Sequence, residues 1–418
     1  MSGWLLRILI GAVLLFLVEY YFTKRCKWLV KYTFAKFDLK KIKIWQIVFL
    51  VFINLYPAVL IISTLYRLFT ENRISSPETF LFDYLFVYPF WILFLFMFQT
   101  GIYFAVVDIL KLIFFPLYKK RKEKINSYVA KVMFVILVFF AVYVPIRIIY
   151  DYKNVSIRTV EYDKKDLPAD LQEFKIAFVA DIQADKYTDE DRLQQFIDVV
   201  NSTNPDLVLI AGDLITSTPD YIEESAEFVG QMKSRYGTYS CVGDHDNWAY
   251  REDNPRSIRE ITEALAKRDV HMIDNSKKDI KVGDSDLCIT FITNTYVETI
   301  DEIVLDSLTY NNAGCDFKIF LTHQPRSNMI DKAVEKDYDL FLAGHTHGGQ
   351  ITLVFPFVYI TPTMFETKYI RGDFWFDNPD KIGTSMLLIV TRGLGMSLAP
   401  IRYNSTPEVT LIVLKNSK

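Results

Sequence analysis

Apolar residues follow two different patterns along this chain, and the change falls near residue 150. Ahead of it, Ile44 to Tyr66 and Tyr84 to Val107 are uncharged runs, the second bounded by Asp83 and Asp108. Each exceeds the roughly 20 residues a helix needs to cross the hydrocarbon core of a bilayer. Leu5 to Phe22 is another such run, with Arg7 and Glu19 near enough to its ends to reach the interface. Val129 to Tyr150 follows, with Lys131 and Arg147 near its ends. Buried core helices fit these runs poorly, because no large polar partner surface accompanies them. The pattern predicts an α-helical membrane region over residues 1–150 with about four spans, three being the competing count.

From Asp163 onward charge rises and the apolar runs shorten. Lys175–Ala180, Leu207–Ala211, Thr238–Val242, Lys318–Leu321 and Leu340–Ala343 read as buried strands. Between them Asp189–Val200 has helical spacing, with Leu193, Phe196, Ile197 and Val200 on one face, and Ile222–Met232 reads as a helix. This predicts an α/β fold over residues 151–418, long enough for one large core. Each of the strands ends in a polar cluster: Asp181, Gly212-Asp213, Gly243-Asp244-His245-Asp246, Thr322-His323 and Gly344-His345-Thr346-His347. Loops at the carboxyl ends of strands in an open α/β sheet converge, so clusters far apart in sequence can meet.

Composition changes this picture little. Net charge is −3, which gives no reason to propose nucleic acid as a partner. The 33 Phe and 25 Tyr crowd the first third, as a membrane part joined to a soluble part requires. Cys26, Cys241, Cys288 and Cys315 lack CxxC spacing, which argues against a zinc cluster or a disulfide framework. Free buried cysteine is the expectation, with a Cys241–Cys288 or Cys288–Cys315 bridge left open if the soluble part faces an oxidising space.

Histidine carries more information. The chain has five, and His245, His323, His345 and His347 all lie in the strand-end clusters, leaving only His271 elsewhere. Beside Asp181, Asp213 and Asp244 they form a mixed imidazole and carboxylate set, which suits Mn, Fe, Zn or Co better than Ca or Mg. So many donors exceed the needs of one ion but suit two about 4 Å apart, which clamp the oxygens of a phosphoryl displacement and turn a bridging water into hydroxide. Gly212, Gly243 and Gly344 precede the ligands and would let the backbone turn sharply onto the metals.

Residues from about 155 to 415 resemble the calcineurin-like metallophosphoesterases, especially their membrane-attached bacterial branch. The matching motifs are Asp181-Ile-Gln183, Gly212-Asp213, Gly243-Asp-His-Asp246, Thr322-His323, Gly344-His-Thr-His-Gly-Gly-Gln350, Arg392-Gly-Leu-Gly395 and Pro400-Ile-Arg-Tyr-Asn404. The resemblance implies a sandwich of two β-sheets flanked by helices, with a dimetal site at one edge. By position it assigns Asp181, Gln183, Asp213 and His347 to one metal, and Asp213, Asp244, His323 and His345 to the other. His245 would protonate the leaving oxygen, with Asp246 orienting its imidazole. Arg392 and Arg402 are candidate phosphate contacts, matched by closing-loop roles as the alternative. Gly348, Gly349 and Gln350 are expected to shape the loop.

The family commonly has histidine where Gln183 stands and asparagine where Asp244 stands. An amide oxygen and an added carboxylate are harder donors, so the pair of changes favours manganese, with Fe, Zn or Co as alternatives. The expected function is membrane-anchored hydrolysis of a phosphodiester, pyrophosphate or phosphomonoester, on a lipid-linked or envelope substrate or another phosphate-containing small molecule. A degenerate metal-binding sensor or scaffold is the competing class. A transporter fits poorly, since Glu19, Asp83 and Asp108 sit near span ends and not at midplane. Basic loops around Lys24–Lys43 and Lys119–Lys124 belong on the cytoplasmic side. With an even number of spans, the catalytic domain of this bacterial inner-membrane protein faces the periplasm or the exterior. One span more or fewer reverses that.

Overall fold

The computed structural model describes residues 3–34, 39–70, 79–310, 314–356, 358–379, 381 and 384–417. It divides into two compact units, Met1–Ile149 with Leu353–Ile360, and Tyr150–Thr352 with Thr361–Lys418.

The first unit is helical. Lys41–Tyr66, Phe80–Ile113 and Phe115–Lys153 are long and apolar enough to cross a membrane. They contain the expected runs 44–66, 84–107 and 129–150. The expected span Leu5–Phe22 lies in the helix Gly3–Thr33, and the side chains of its residues 5–9 fall outside those described. The sequence reading placed Leu353–Ile360 in the catalytic domain. It forms instead a short hairpin that packs with this unit: Gln99 donates Nε2 to the Val354 carbonyl at 2.7 Å and accepts from the Val354 amide at 2.9 Å.

The second unit is built on β1 (Ser156–Lys165), β2 (Lys175–Val179), β3 (Leu207–Ile210), β4 (Thr238–Ser240), β5 (Val270–Met272), β6 (Ser276–Val282) and β7 (Ser285–Ile292). It continues through β8 (Phe317–Thr322) and β9 (Leu340–Ala343) and, after the hairpin strands β10 (Leu353–Phe355) and β11 (Val358–Ile360) of the first unit, through β12 (Gly372–Asp377), β13 (Ser385–Val390) and β14 (Glu408–Ser417). One sheet runs β1-β14-β2-β3-β4-β5 and the other β12-β13-β9-β8-β7-β6. The strands β2 to β5 are mutually parallel, as are β13, β9, β8 and β7.

Alternation along a strand decides which layer each side chain enters. In β2, Ile176 and Phe178 face the other sheet and form an inner core with Leu209 and Ile412 of their own sheet and Ile289, Phe317 and Leu342 of the other. Ala177 and Val179 face outward and are covered by Phe196, Ile197, Ala226 and Ile261 from helices. The second sheet is covered in the same way: Phe320, Phe341 and Leu388 pack under Met329 and Ile330 of the helix Ser327–Glu335. Strands buried on both faces read as continuous apolar runs, which is why the sequence exposed them. The result is the expected two-sheet sandwich flanked by helices.

The helix Glu190–Ser202 shows the local logic. Asp189 caps it by accepting from the Arg192 amide, and Leu193, Phe196, Ile197 and Val200 are buried. One expectation is corrected here. Cys288 on β7 and Cys315 just before β8 form a disulfide, Cα to Cα 5.9 Å, while Cys241 is free and buried. Parallel pairing of β7 with β8 brings these two cysteines together, a proximity that spacing in the chain does not reveal.

Candidate metal centre

Asp181, Asp213, Asp244, His323 and His345 follow β2, β3, β4, β8 and β9 at the carboxyl ends of the strands, and all five clusters converge. The carboxylates and imidazoles of Asp244, His323 and His345 lie within 4.8 Å of one another, as do those of Asp181, Asp213 and His323. Asp181, Gln183, Asp213, His345 and His347 all adopt positive φ, between 49° and 71°. Non-glycine residues rarely adopt this conformation, and such strain clusters at functional sites. Glycine is needed for close approach at Gly243, where a Cβ would lie 2.2 Å from the Asp213 amide nitrogen. The expected sharp turn with positive φ occurs at Gly212 (φ 72°).

His323 is fully buried, and its Nδ1 lies 2.7 Å from the Ala211 carbonyl, an oxygen that can only accept. The Nδ1 hydrogen is therefore committed to that carbonyl, and Nε2 is the ring atom that faces the cluster. That Nε2 points at Asp213 Oδ2 (3.4 Å) and Asp244 Oδ2 (3.3 Å) without a hydrogen-bond partner. Against burial, Asp213 and Asp244 raise His323 well above its ordinary value, so this buried cluster attracts positive charge, as a cation site does. Gln183 repeats the pattern. Its Nε2 donates to Asp213 Oδ2 at 2.7 Å, leaving the buried Oε1 unpartnered. The donor set thus fits bound metal ions. Second contacts orient these ligands, as metal sites require. Asp244 accepts from the Tyr296 amide (2.6 Å) and Gln324 Nε2 (2.6 Å), and Asp181 from the His345 amide (3.1 Å).

Electrostatics divide the site. Burial raises Asp181 to about 6, with neighbouring histidines opposing it. Burial would also raise Asp244, but His323 and His345 outweigh it and hold this carboxyl well below its ordinary range. Burial and the Arg402 charge push His347 well below its ordinary value. His345 moves the other way: against burial, Asp244 and Glu366 raise it to about 9.

Two assigned roles change. Asp246 does not orient His245. Its buried carboxylate accepts from the amides of Gly243 (2.8 Å), Asp213 (3.0 Å) and Leu214 (2.8 Å), so it holds the loops together. His245 is oriented by the Thr216 carbonyl at Nδ1, and its Nε2 lies 3.1 Å from Ser397 Oγ. Arg402 is fully buried, and its guanidinium donates to the carbonyls of Gly395, His347, Arg392 and Ser405. Those bonds commit it to the backbone of the metal loop and leave no face for a phosphate. Arg392 is one-third exposed, with Nε 3.4 Å from Glu408 Oε2. The sequence reading missed Thr216, Tyr296, Gln324, Glu366 and Ser397. Gln324 follows His323 directly and could have been found; the others lie in loops without a motif.

The calcineurin-like phosphoesterase family model matches residues 174–349, the stretch that carries all five clusters. This stretch is a calcineurin-like phosphoesterase domain. Members of the family bind a dimetal centre and hydrolyse phosphate esters with it, and the domain is a metal-dependent phosphoester hydrolase of this kind. The chain is similar to the uncharacterized metallophosphoesterase Cj0846 of Campylobacter jejuni, 26% identical over 387 residues, covering 91% of this chain and 93% of that protein. It is similar to the metallophosphoesterase YkuE of Bacillus subtilis, 26% identical, covering 62% of this chain and 86% of the relative. A transmembrane protein with metallophosphoesterase domain from Danio rerio is 27% identical, covering 62% of this chain and 57% of that protein.

Proposed function

We propose that the domain hydrolyses a phosphodiester, pyrophosphate or phosphomonoester at two divalent metal ions. Asp181, Gln183, Asp213 and His347 would hold one ion; Asp213, Asp244, His323 and His345 would hold the other, sharing Asp213. The observation that carries this reading is His323, whose Nδ1 is tied to the Ala211 carbonyl while its buried Nε2 faces the carboxylates of Asp213 and Asp244. Bound divalent ions supply Lewis-acid activation and neutralise developing charge on a transferring phosphoryl group. The chain's own residues position that chemistry and move the proton. The Thr216 carbonyl keeps a hydrogen on His245 Nδ1, and Nε2, when protonated, delivers its proton to the leaving oxygen. Ser397 Oγ lies 3.1 Å from that nitrogen and can receive or pass the proton. Manganese is the favoured ion, because Gln183 and Asp244 are hard oxygen donors.

The substrate in this reading is lipid-linked or an envelope component. Phe365 (89% exposed) directly precedes Glu366, which touches His345, and Leu398 (92% exposed) directly follows Ser397, which touches His245. Large apolar side chains bare to solvent beside the reacting groups suit an amphiphilic molecule. The domain faces the periplasm or exterior of a bacterial inner membrane. Basic loops on the other side and the Cys288–Cys315 disulfide support this placement. Reporter fusions after residues 120 and 160 should report opposite sides; the same side for both would overturn it.

The full chain in detergent, stripped of metal and reloaded with Mn²⁺, Zn²⁺, Fe²⁺, Co²⁺ or Mg²⁺, is tested on bis(p-nitrophenyl) phosphate, p-nitrophenyl phosphate and a nucleotide-sugar pyrophosphate. Metal-dependent turnover, highest with Mn²⁺, is expected with at least one of them. Binding without turnover on any would move the protein to the sensor or scaffold class, and much faster turnover with Zn²⁺ would remove the manganese preference.

A further inference from the structure

Beside His345 the domain holds a cavity of about 510 Å³ walled by Tyr296, Gln324, Arg326, Glu366 and Lys368. It adjoins the Asp244 side of the centre, because Gln324 Nε2 and His345 Nδ1 lie 2.6 Å and 2.8 Å from the same Asp244 oxygen. Two cations line it. Arg326 is half-buried and its plane is fixed by Nε to Gln324 Oε1 (2.6 Å) and Nη2 to the Thr295 carbonyl (3.3 Å). Its guanidinium carbon stands 5.9 Å from the Tyr296 ring centre, and Tyr296 is 58% exposed. Lys368 is exposed, 5.0 Å over the ring of Tyr369. Glu366 is the one carboxylate among the described lining residues, and it is held by His345 Nε2 (2.8 Å) and the Tyr296 hydroxyl. Its charge is therefore turned toward the histidine, while those of Arg326 and Lys368 remain for a ligand.

We infer that this cavity binds a second phosphate, carried on the part of the substrate that is not attacked. The inference rests on the phosphoesterase reading of the adjoining centre and narrows the substrate to an ester or anhydride bearing two phosphoryl groups. A guanidinium of fixed plane matches phosphate oxygens in pairs, and an ammonium adds a point charge. A cavity of about 510 Å³ is far larger than one phosphate, and the bare Tyr296 ring provides a face for the sugar or base between the two groups.

The test compares the p-nitrophenyl ester of thymidine 5′-phosphate with the same ester bearing a 3′-phosphate. The full chain in detergent should prefer the second by about tenfold or more in kcat/KM, the worth of a charge-assisted contact. Arg326→Ala and Lys368→Ala should each reduce that ratio toward one through KM. A ratio near one in the native protein, or one untouched by both substitutions, overturns the inference. If neither ester is hydrolysed, the phosphoesterase reading loses support on these substrates, and calorimetry still reads the cavity. Thymidine 3′,5′-bisphosphate should bind more tightly than thymidine 5′-phosphate, an advantage lost in both variants; equal binding overturns the inference.

Discussion

His345 and His347 are separated by a single residue, yet they face opposite environments. His345 stands on an open side, bordered by Asp244, Glu366 and the exposed Tyr296, and its neighbours raise it to about 9. His347 stands on a closed side with Asp181, Gln183 and Arg402, all fully buried, and is pushed well below its ordinary value. In a loop with both residues at positive φ, alternate side chains can serve two different sites. The difference teaches a division of labour: the closed side is held by backbone bonds and the open side meets solvent.

The comparison can be broken at its centre first. In the proposed reading both ions would share Asp213, so Asp213→Ala should abolish turnover and halve the metal content read by elemental analysis. His245→Ala should lower kcat by about 10² to 10⁴-fold while metal content holds, the usual cost of a lost general acid. Retained kcat there would mean another proton donor serves the leaving group.

On the closed side, Arg402→Met should strand several buried carbonyls and destabilise the domain by about 2–4 kcal/mol in denaturant unfolding. Arg402→Lys should recover little, since an ammonium cannot reproduce the fork. A variant that unfolds normally but shows a raised KM would instead put Arg402 on the substrate. On the open side, Glu366→Gln should weaken metal binding by about 10 to 100-fold, measured by chelator competition, the typical cost of losing a ligand's outer carboxylate. Folding stability should change little, because Glu366 is exposed. If the Arg402 and Glu366 substitutions acted alike on stability and on metal affinity, the two sides would not be distinct.

Much of the centre was legible before any fold. Strands buried on both faces must be apolar throughout, so the polar residue that ends each run stands out, as at Asp181 and His323. The second-contact residues were not legible. Tyr296 and Glu366 lie in loops whose path depends on packing, and nothing in their local sequence marks them. Asp246 was misassigned for a related reason. Adjacency to His245 suggested a partner, whereas a buried carboxylate at the meeting of three amides is satisfied by the backbone.

By itself the sequence determined the long apolar helices, the α/β domain, its strand-end polar clusters and the calcineurin-like domain, because each rests on residue type and period along the chain. Only the tertiary structure decided the Cys288–Cys315 bridge, the hairpin Leu353–Ile360 that packs with the helical unit, the burial of Arg402 and the cavity beside His345. These depend on which segments become neighbours in space, and distance along the chain carries no record of that.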